Sequence, residues 1–173
     1  NPIVIEAGCG RGEYTIALAE KYPQKNFIGI DIKGARIWRG AKTANEQNML
    51  NAAFLRTRME LIDKFFAQNE ISEIWVTFPD PQPRESKENV RLISPAFINL
   101  YKKFLKPGAV IHLKTDNKPL YDFAFSVVSE ANYKIITATD NLYPQADVAI
   151  DLLIKTTYEK KFLAQGFNIC YLS

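Results

Sequence analysis

The sequence predicts an α/β fold, a doubly wound and mostly parallel sheet of seven strands in one domain over residues 1–173. Three observations carry that expectation. Seven short apolar runs alternate with amphipathic stretches, as in open sheets covered by helices on both faces. A glycine turn joins the first run to the first amphipathic stretch, and a proline-rich loop follows the fourth run, both at strand ends where such sheets gather their chemistry. With 173 residues and 47% apolar content, the chain can bury one sizeable core and is too short to suggest two.

Residues 3–7 form the first run, with Glu6 its one acid, and lead into Gly8-Cys9-Gly10-Arg11-Gly12 and the amphipathic stretch 13–22. Glycines suit a backbone that must turn sharply and approach a ligand, and the helix that follows offers free N–H groups. The second run, 27–32, carries Asp31, 19 residues after Gly12. An acid there can accept from both hydroxyls of a ribose. The spacing Gly8-x-Gly10-x-Gly12 differs from the Gly-x-Gly-x-x-Gly of dinucleotide sites and favours a nucleoside without a pyrophosphate. Residues 34–48 read as a helix, with Ala35, Ile37, Trp38, Ala41 and Ala44 apolar and Arg36, Arg39 and Lys42 on a solvated outer face. Residues 51–56 suit a third strand, 59–68 a third helix with Leu61, Ile62, Phe65 and Phe66 at helical spacing, and 73–78 a fourth strand. Trp38 and Trp75 read as core.

The loop Thr77-Phe78-Pro79-Asp80-Pro81-Gln82-Pro83-Arg84 comes next. Three alternate prolines fix φ and remove donors, so this segment is expected to hold one stiff, extended shape that presents Asp80. Residues 85–89 are polar and aperiodic. Ser94-Pro95 starts a helix with Phe97, Ile98, Tyr101, Phe104 and Leu105 apolar, stopped by Pro107-Gly108. A fifth strand, 109–114, ends in Thr115-Asp116-Asn117, and a helix from Pro119 runs to about residue 131. A sixth strand at 133–139, a loop at 140–151, a helix at 157–165 and a last strand at 167–172 complete the chain.

No apolar run approaches the roughly 18 residues of a membrane span, and nothing has the form of a signal peptide, so a soluble, cytoplasmic protein is expected. The chain opens on Asn1-Pro2 and enters a strand at once, which suggests a further N-terminal segment. Cys9 and Cys170 make neither a disulfide framework nor a zinc spacing, and no metal is expected. A net charge of +3 is compatible with a polyanion partner without arguing for one. Oligomeric state has no signal here.

Glu6-x-Gly8-x-Gly10-x-Gly12 resembles the first motif of S-adenosylmethionine-dependent methyltransferases. With Phe78-Pro79-Asp80-Pro81-x-Pro83-Arg84, Thr115-Asp116 and Thr156-Thr157-Tyr158-Glu159-x-Lys161-Phe162 added, the chain resembles the bacterial tRNA (guanine-N7)-methyltransferases from Glu6 to its end. The resemblance implies the Rossmann-like class I methyltransferase fold, S-adenosyl-L-methionine as cofactor, tRNA as partner, and methylation of guanosine N7 at position 46 of the variable loop. It further implies that Glu6, Gly8, Gly10 and Asp31 hold the methionine and ribose of the cofactor, with Arg58 and Met59 beside the adenine and Asp80 near the methyl group. Asp80 would be the catalytic acid, and Arg84, Asp116, Thr156, Thr157, Tyr158 and Glu159 would bind substrate. Three positions depart from the family pattern: Gln82 stands where a Trp is usual, the tract 84–91 is only weakly basic, and Arg58 stands where an acid commonly meets the adenine amino group.

Guanine N7 already exposes a lone pair, so its methylation needs no general base, only alignment with the sulfonium methyl. A carboxylate accepting from guanine N1–H and the 2-amino group would select guanine and offset the growing positive charge; Asp80 and Asp116 are the candidates. Simpler roles exist for the same residues. Asp80 could cap its own loop, Asp116 or Asn117 could N-cap the helix that Pro119 begins, and Thr156 and Glu159 stand at capping-box spacing. His112 reads as packed in the core, and Arg84, Lys87 and Arg91 suit either a solvated loop or phosphate contacts. Competing functions are a methyltransferase acting on an exocyclic amine of adenine or cytosine, whose usual Asn/Asp-Pro-Pro-aromatic signature is absent, a non-catalytic RNA-binding protein, and a small-molecule methyltransferase.

Overall fold

The computed structural model describes residues 1–144 and 148–173. Its elements in order are β1 (Ile3–Ala7), α1 (Glu13–Lys21), β2 (Asn26–Asp31), α2 (Gly34–Glu46), β3 (Ala52–Arg56), β4 (Ile71–Thr77), α3 (Pro95–Tyr101), β5 (Leu105–Thr115), α4 (Lys118–Glu130), β6 (Ala138–Thr139), α5 (Thr157–Ala164) and β7 (Cys170–Leu172). Short 3-10 turns occupy Met59–Lys64, Glu85–Val90 and Ile150–Leu153. The seven strands form one sheet in the order β3-β2-β1-β4-β5-β7-β6. The first five are parallel, and β7 lies antiparallel to both β5 and β6.

The chain order reverses between β1 and β4, and that crevice at the carboxyl ends of the strands is where a doubly wound sheet receives ligands. Both faces are buried, so the central strands are apolar nearly throughout. The pleat divides them: Ile74 and Val76 join a core with Ile5, Ile30, Phe97, Tyr101 and Phe104, while Trp75 between them joins Tyr14, Leu18, Phe27 and Tyr171 on the other side. His112 stacks on Trp75 at 3.9 Å, with Nδ1 2.7 Å from the Tyr171 hydroxyl and Nε2 3.1 Å from Glu73, as the packed reading expects.

The third glycine of the turn serves packing. A Cβ on Gly12, Gly29 or Gly40 would lie 2.3, 2.7 or 2.5 Å from the Phe54 ring, so three glycines from three elements make one aromatic slot. That slot seats α1 and α2 against the sheet.

Several expectations change. The helix predicted at 59–68 is a 3-10 turn, because only Ile62 on it is fully buried while Leu61 and Phe65 stay exposed. Pro107-Gly108 does not end a helix immediately before a strand: β5 already begins at Leu105 and carries this pair as an irregularity, its register with β4 jumping from Ile71↔Leu105 to Glu73↔Val110. The strand predicted at 133–139 shortens to Ala138–Thr139, since β7, its only neighbour among the described residues, is three residues long. In the loop predicted over 140–151, residues 145–147 lie outside the described residues, and a 3-10 turn begins at Ile150. Trp38 is 57% exposed, because α2 turns only Ile37, Gly40 and Ala44 fully inward. The proline loop is not uniformly extended either, with Phe78 and Gln82 at φ 47° and 45°.

Candidate active site

The glycine turn leaves β1 with Gly8 and Gly10 at φ 74° and 54°, and the Gly8 and Cys9 N–H groups both donate to the Ile30 carbonyl. A Cβ on Gly10 would meet nothing within 4 Å, so its backbone faces open space. Asp31 braces the turn: Oδ2 accepts from Gly10 N–H at 2.9 Å and Oδ1 from Lys33 N–H at 2.8 Å. A carboxylate has further lone pairs beyond these two bonds and can still take the hydroxyls of a ribose.

Two cavities meet at Gly8. One, of about 390 Å³, is lined by Asp31, Ile32, Arg58, Met59, Glu60 and apolar side chains that include Leu92 and Phe97. Arg58 reaches toward Glu60, its Nη2 3.5 Å from Oε1, and both line this cavity. The other cavity, about 540 Å³, runs between the strand ends and α5. Its walls include Glu6, Gly8 and Gly10, then Thr77, Phe78 and Asp80 from the proline loop, Asp116 and Asn117 after β5, and Thr156, Thr157, Tyr158 and Phe162 from α5.

Glu6 lies at the floor, 4% exposed. It accepts from Thr15 N–H at 2.9 Å, from the Thr15 hydroxyl, and from the Thr77 hydroxyl at 2.7 Å. Burial lifts its pKa to about 7 against those bonds, which favour the ionised form. Asp116 is also raised, by partial burial. Asn117 supplies the N-cap of α4, accepting from Leu120 N–H at 2.8 Å, which leaves the Asp116 carboxylate free for the cavity. Asp80 does brace its own loop, accepting from Gln82 N–H at 3.1 Å, yet it remains exposed at the cavity wall.

The left-handed backbone at Phe78 is a rare state for a bulky residue and costs about 1–3 kcal/mol. A hydrogen bond from Phe78 N–H to the Lys114 carbonyl at 2.8 Å and a ring contact with Phe162 at 6.1 Å hold it there. The loop is fastened a second time by Arg91, whose Nε and Nη2 donate to the Gln82 carbonyl at 3.2 and 3.1 Å while its plane lies 4.3 Å from the Phe123 ring centre. Arg91 is therefore an internal clamp and not a phosphate contact.

Two residues expected at the substrate line neither cavity. Glu159 has no exposed surface: it pairs with Lys114 at 2.9 Å, accepts from the Tyr143 hydroxyl, and so points into the core while its neighbours Thr156 to Tyr158 face the cavity. Arg84 is exposed and lines neither cavity, because the loop has turned by the time it is reached. Thr156 caps α5, accepting from Glu159 N–H at 3.3 Å, and Glu13 at the start of α1 accepts from Thr157 N–H and Oγ1 at 2.5 and 2.8 Å. Sequence reading missed Lys114 and Glu13, whose partners lie too far along the chain to leave a local signal, and offered Arg91 a solvated or phosphate role in place of the internal clamp. It also missed Arg11 and Arg36 at the cavity wall.

The seven-stranded sheet with flanking helices is the Rossmann-like architecture of the class I, S-adenosylmethionine-dependent methyltransferases. Solved structures of similar shape include the 16S rRNA methyltransferase KamB, at TM-score 0.75 and 17% identity over 99% of this chain and 86% of that one. A SAM-dependent methyltransferase from Aquifex aeolicus matches at TM-score 0.66 and 12% identity, over 99% and 80%. By sequence, residues 1–172 match the profile of a family described as "Putative methyltransferase". The tRNA (guanine-N(7)-)-methyltransferase of Porphyromonas gingivalis is 49% identical over 100% of this chain and 70% of that protein. Proteins of the same name from Cytophaga hutchinsonii and Clostridium acetobutylicum are 43% and 33% identical, each over 99% of this chain and 79% and 80% of theirs. The chain belongs to the tRNA (guanine-N7)-methyltransferase family.

Proposed function

We propose that this protein transfers a methyl group from S-adenosylmethionine to N7 of a guanosine in tRNA, and that the guanosine is the one at position 46 of the variable loop. The observation that carries the reading is that Gly8 stands in the walls of two cavities at once, one bearing Asp31 and the other Asp80 and Asp116.

The residues fit the cofactor: the Gly10 backbone leaves room for close approach, Gly8 holds the left-handed turn beside Leu92, and Asp31 would take the ribose hydroxyls. The Arg58 to Glu60 rim would take the adenine, and the floor above Glu6 the methionine end. When bound, S-adenosylmethionine supplies an electrophilic sulfonium methyl. The protein's own work is then positioning, since N7 needs no proton removed. Asp116, kept partly buried, and Asp80, kept exposed on a strained loop, would accept from guanine N1–H and the 2-amino group. Both thereby stabilise charge that grows on the ring during transfer. Thr156, Thr157 and Tyr158 at the α5 end of the cavity would contact the nucleoside, with Tyr158 half-exposed for stacking.

Incubation with tRNA and labelled S-adenosylmethionine, followed by nucleoside mapping, tests this. Label on 7-methylguanosine at position 46 is expected. Label on N6 of adenosine, or equal activity on free guanosine, would overturn it.

A further inference from the structure

We infer that the outer face of α2, with Arg11 beside it, is a docking track for the phosphate backbone of the RNA next to the reacting guanosine, and that Trp38 is its stacking platform. The inference rests on the proposed function for the identity of the RNA. Its physical basis is separate.

Along α2 the exposed face carries Arg36, Trp38, Arg39 and Lys42, with Lys33 at the N-cap, and Glu46 is the first acid on the helix. Cations in a first turn that lacks any acid oppose the helix dipole, a choice that a merely solvated face has no reason to make. Among the described residues Arg11, Lys33, Arg36 and Arg39 form no ion pair, so their charge is free for a partner. Lys42 is different: it pairs with Glu46 at 3.5 Å and lies 5.3 Å from the Trp38 ring, which steadies the ring on the surface. An indole 57% exposed amid cations is the composition of a single-strand binding surface, where bases stack and phosphates are neutralised.

The track is continuous with the reaction site. Arg11 and Arg36 both line the cavity of about 540 Å³, one from the glycine turn and one from α2. From Arg36 to Lys42 the helix advances about 9 Å, enough to follow the backbone for one or two nucleotides. The proline loop offers no such charge: Arg84 and Lys87 are offset by Glu85 and Glu88, and Arg91 is spent on the Gln82 carbonyl. The positive surface that this loop lacks stands on the other wall of the same cavity.

The test is tRNA binding by filter retention across a salt series, without cofactor, for wild type, Arg36→Gln/Arg39→Gln and Trp38→Ala. The double variant is expected to weaken binding ~10-fold or more and to flatten the dependence of log K on log salt by ~0.7–0.9 for each phosphate it no longer neutralises. Trp38→Ala is expected to weaken binding ~5-fold or more with the salt slope kept, and Trp38→Phe to restore most of it. All these side chains are exposed, so unchanged melting temperatures check the fold. Unchanged affinity and slope in the double variant would overturn the inference, as would a loss of self-association in light scattering with tRNA affinity intact. If wild type binds tRNA through this face but methylates no guanosine, the proposed function fails and the docking track stands.

Discussion

Two segments wall the reaction cavity, and each is fastened by one buried cation, but the fastenings are built differently. The proline loop is held by Arg91 from only nine residues away, through two bonds to one carbonyl, with Glu88 meeting Nη1 at 3.2 Å near the surface. The segment from Ile150 into α5 is held by Lys114 of β5, which donates to the Leu152 and Ile154 carbonyls at 2.7 and 3.0 Å and pairs with a Glu159 that is equally buried. Asp151 adds a belt from outside: Lys21 and the Tyr22 hydroxyl donate to its carboxylate, and the Tyr14 hydroxyl to its carbonyl. A local clamp with one partner near water loses little when cut. A long-range clamp that hides two opposite charges leaves the survivor stranded.

Cutting the long-range clamp is therefore expected to do most damage. Lys114→Met should lower stability by about 3–5 kcal/mol in a urea melt, because Glu159 keeps a buried charge without its partner. Lys114→Met/Glu159→Leu should recover most of that loss. If the single variant melts like wild type, the two fastenings do not differ as described.

Asp80 sits on the locally clamped wall and is exposed, so Asp80→Ala should cost no more than about 1 kcal/mol in the melt, for the lost bond from Gln82 N–H, while kcat falls ~10²–10³-fold, the usual yield of one oriented group facing developing charge. A rate within a factor of about two of wild type would reduce Asp80 to a loop cap.

Glu6 ties β1 to α1 and to the start of the proline loop through Thr15 and Thr77, and it lends pH dependence to both. Burial raises its folded-state pKa from 4.5 to about 7, so between those values the folded protein holds a proton that the unfolded chain has released. Stability should fall as pH rises through that window and level off above it, by roughly 3 kcal/mol in all. Melts of Glu6→Gln should lack this slope.

The local clamp should show the smallest effect. Arg91→Ala should cost about 1–3 kcal/mol, since it leaves the Gln82 carbonyl and the Phe123 face without their partner. Arg91→Lys should recover only part of this, because an ammonium lacks the planar fork that meets the carbonyl and the ring together. Loss of rate well beyond loss of stability would mean that the clamp also aims Asp80.

Legibility follows the same division. The glycine turn and the places of Asp31, Asp80 and Asp116 at the cavity walls follow from neighbours in the chain: a backbone that must turn, an acid at a strand end, prolines that forbid continuation. Trp38 was misread because a helical pattern tells which residues share a face, and not that Gly12, Gly29 and Gly40 would gather around Phe54 and bring the opposite face of α2 inward. The resemblance puts Glu159 at the substrate because it belongs to one motif with Thr156, Thr157 and Tyr158, which do line the cavity. One helical position carries it to Lys114 instead.

By itself the sequence determined the seven strands in order, the glycine turn and the acids that follow the strands, because φ/ψ limits, spacing and periodicity act over a few residues. Only the tertiary structure decided which charges are sealed inside and which face the cavity. Those fates depend on partners 38 to 45 residues apart, such as Lys114 with Leu152 and Glu159, that meet only once the sheet has closed.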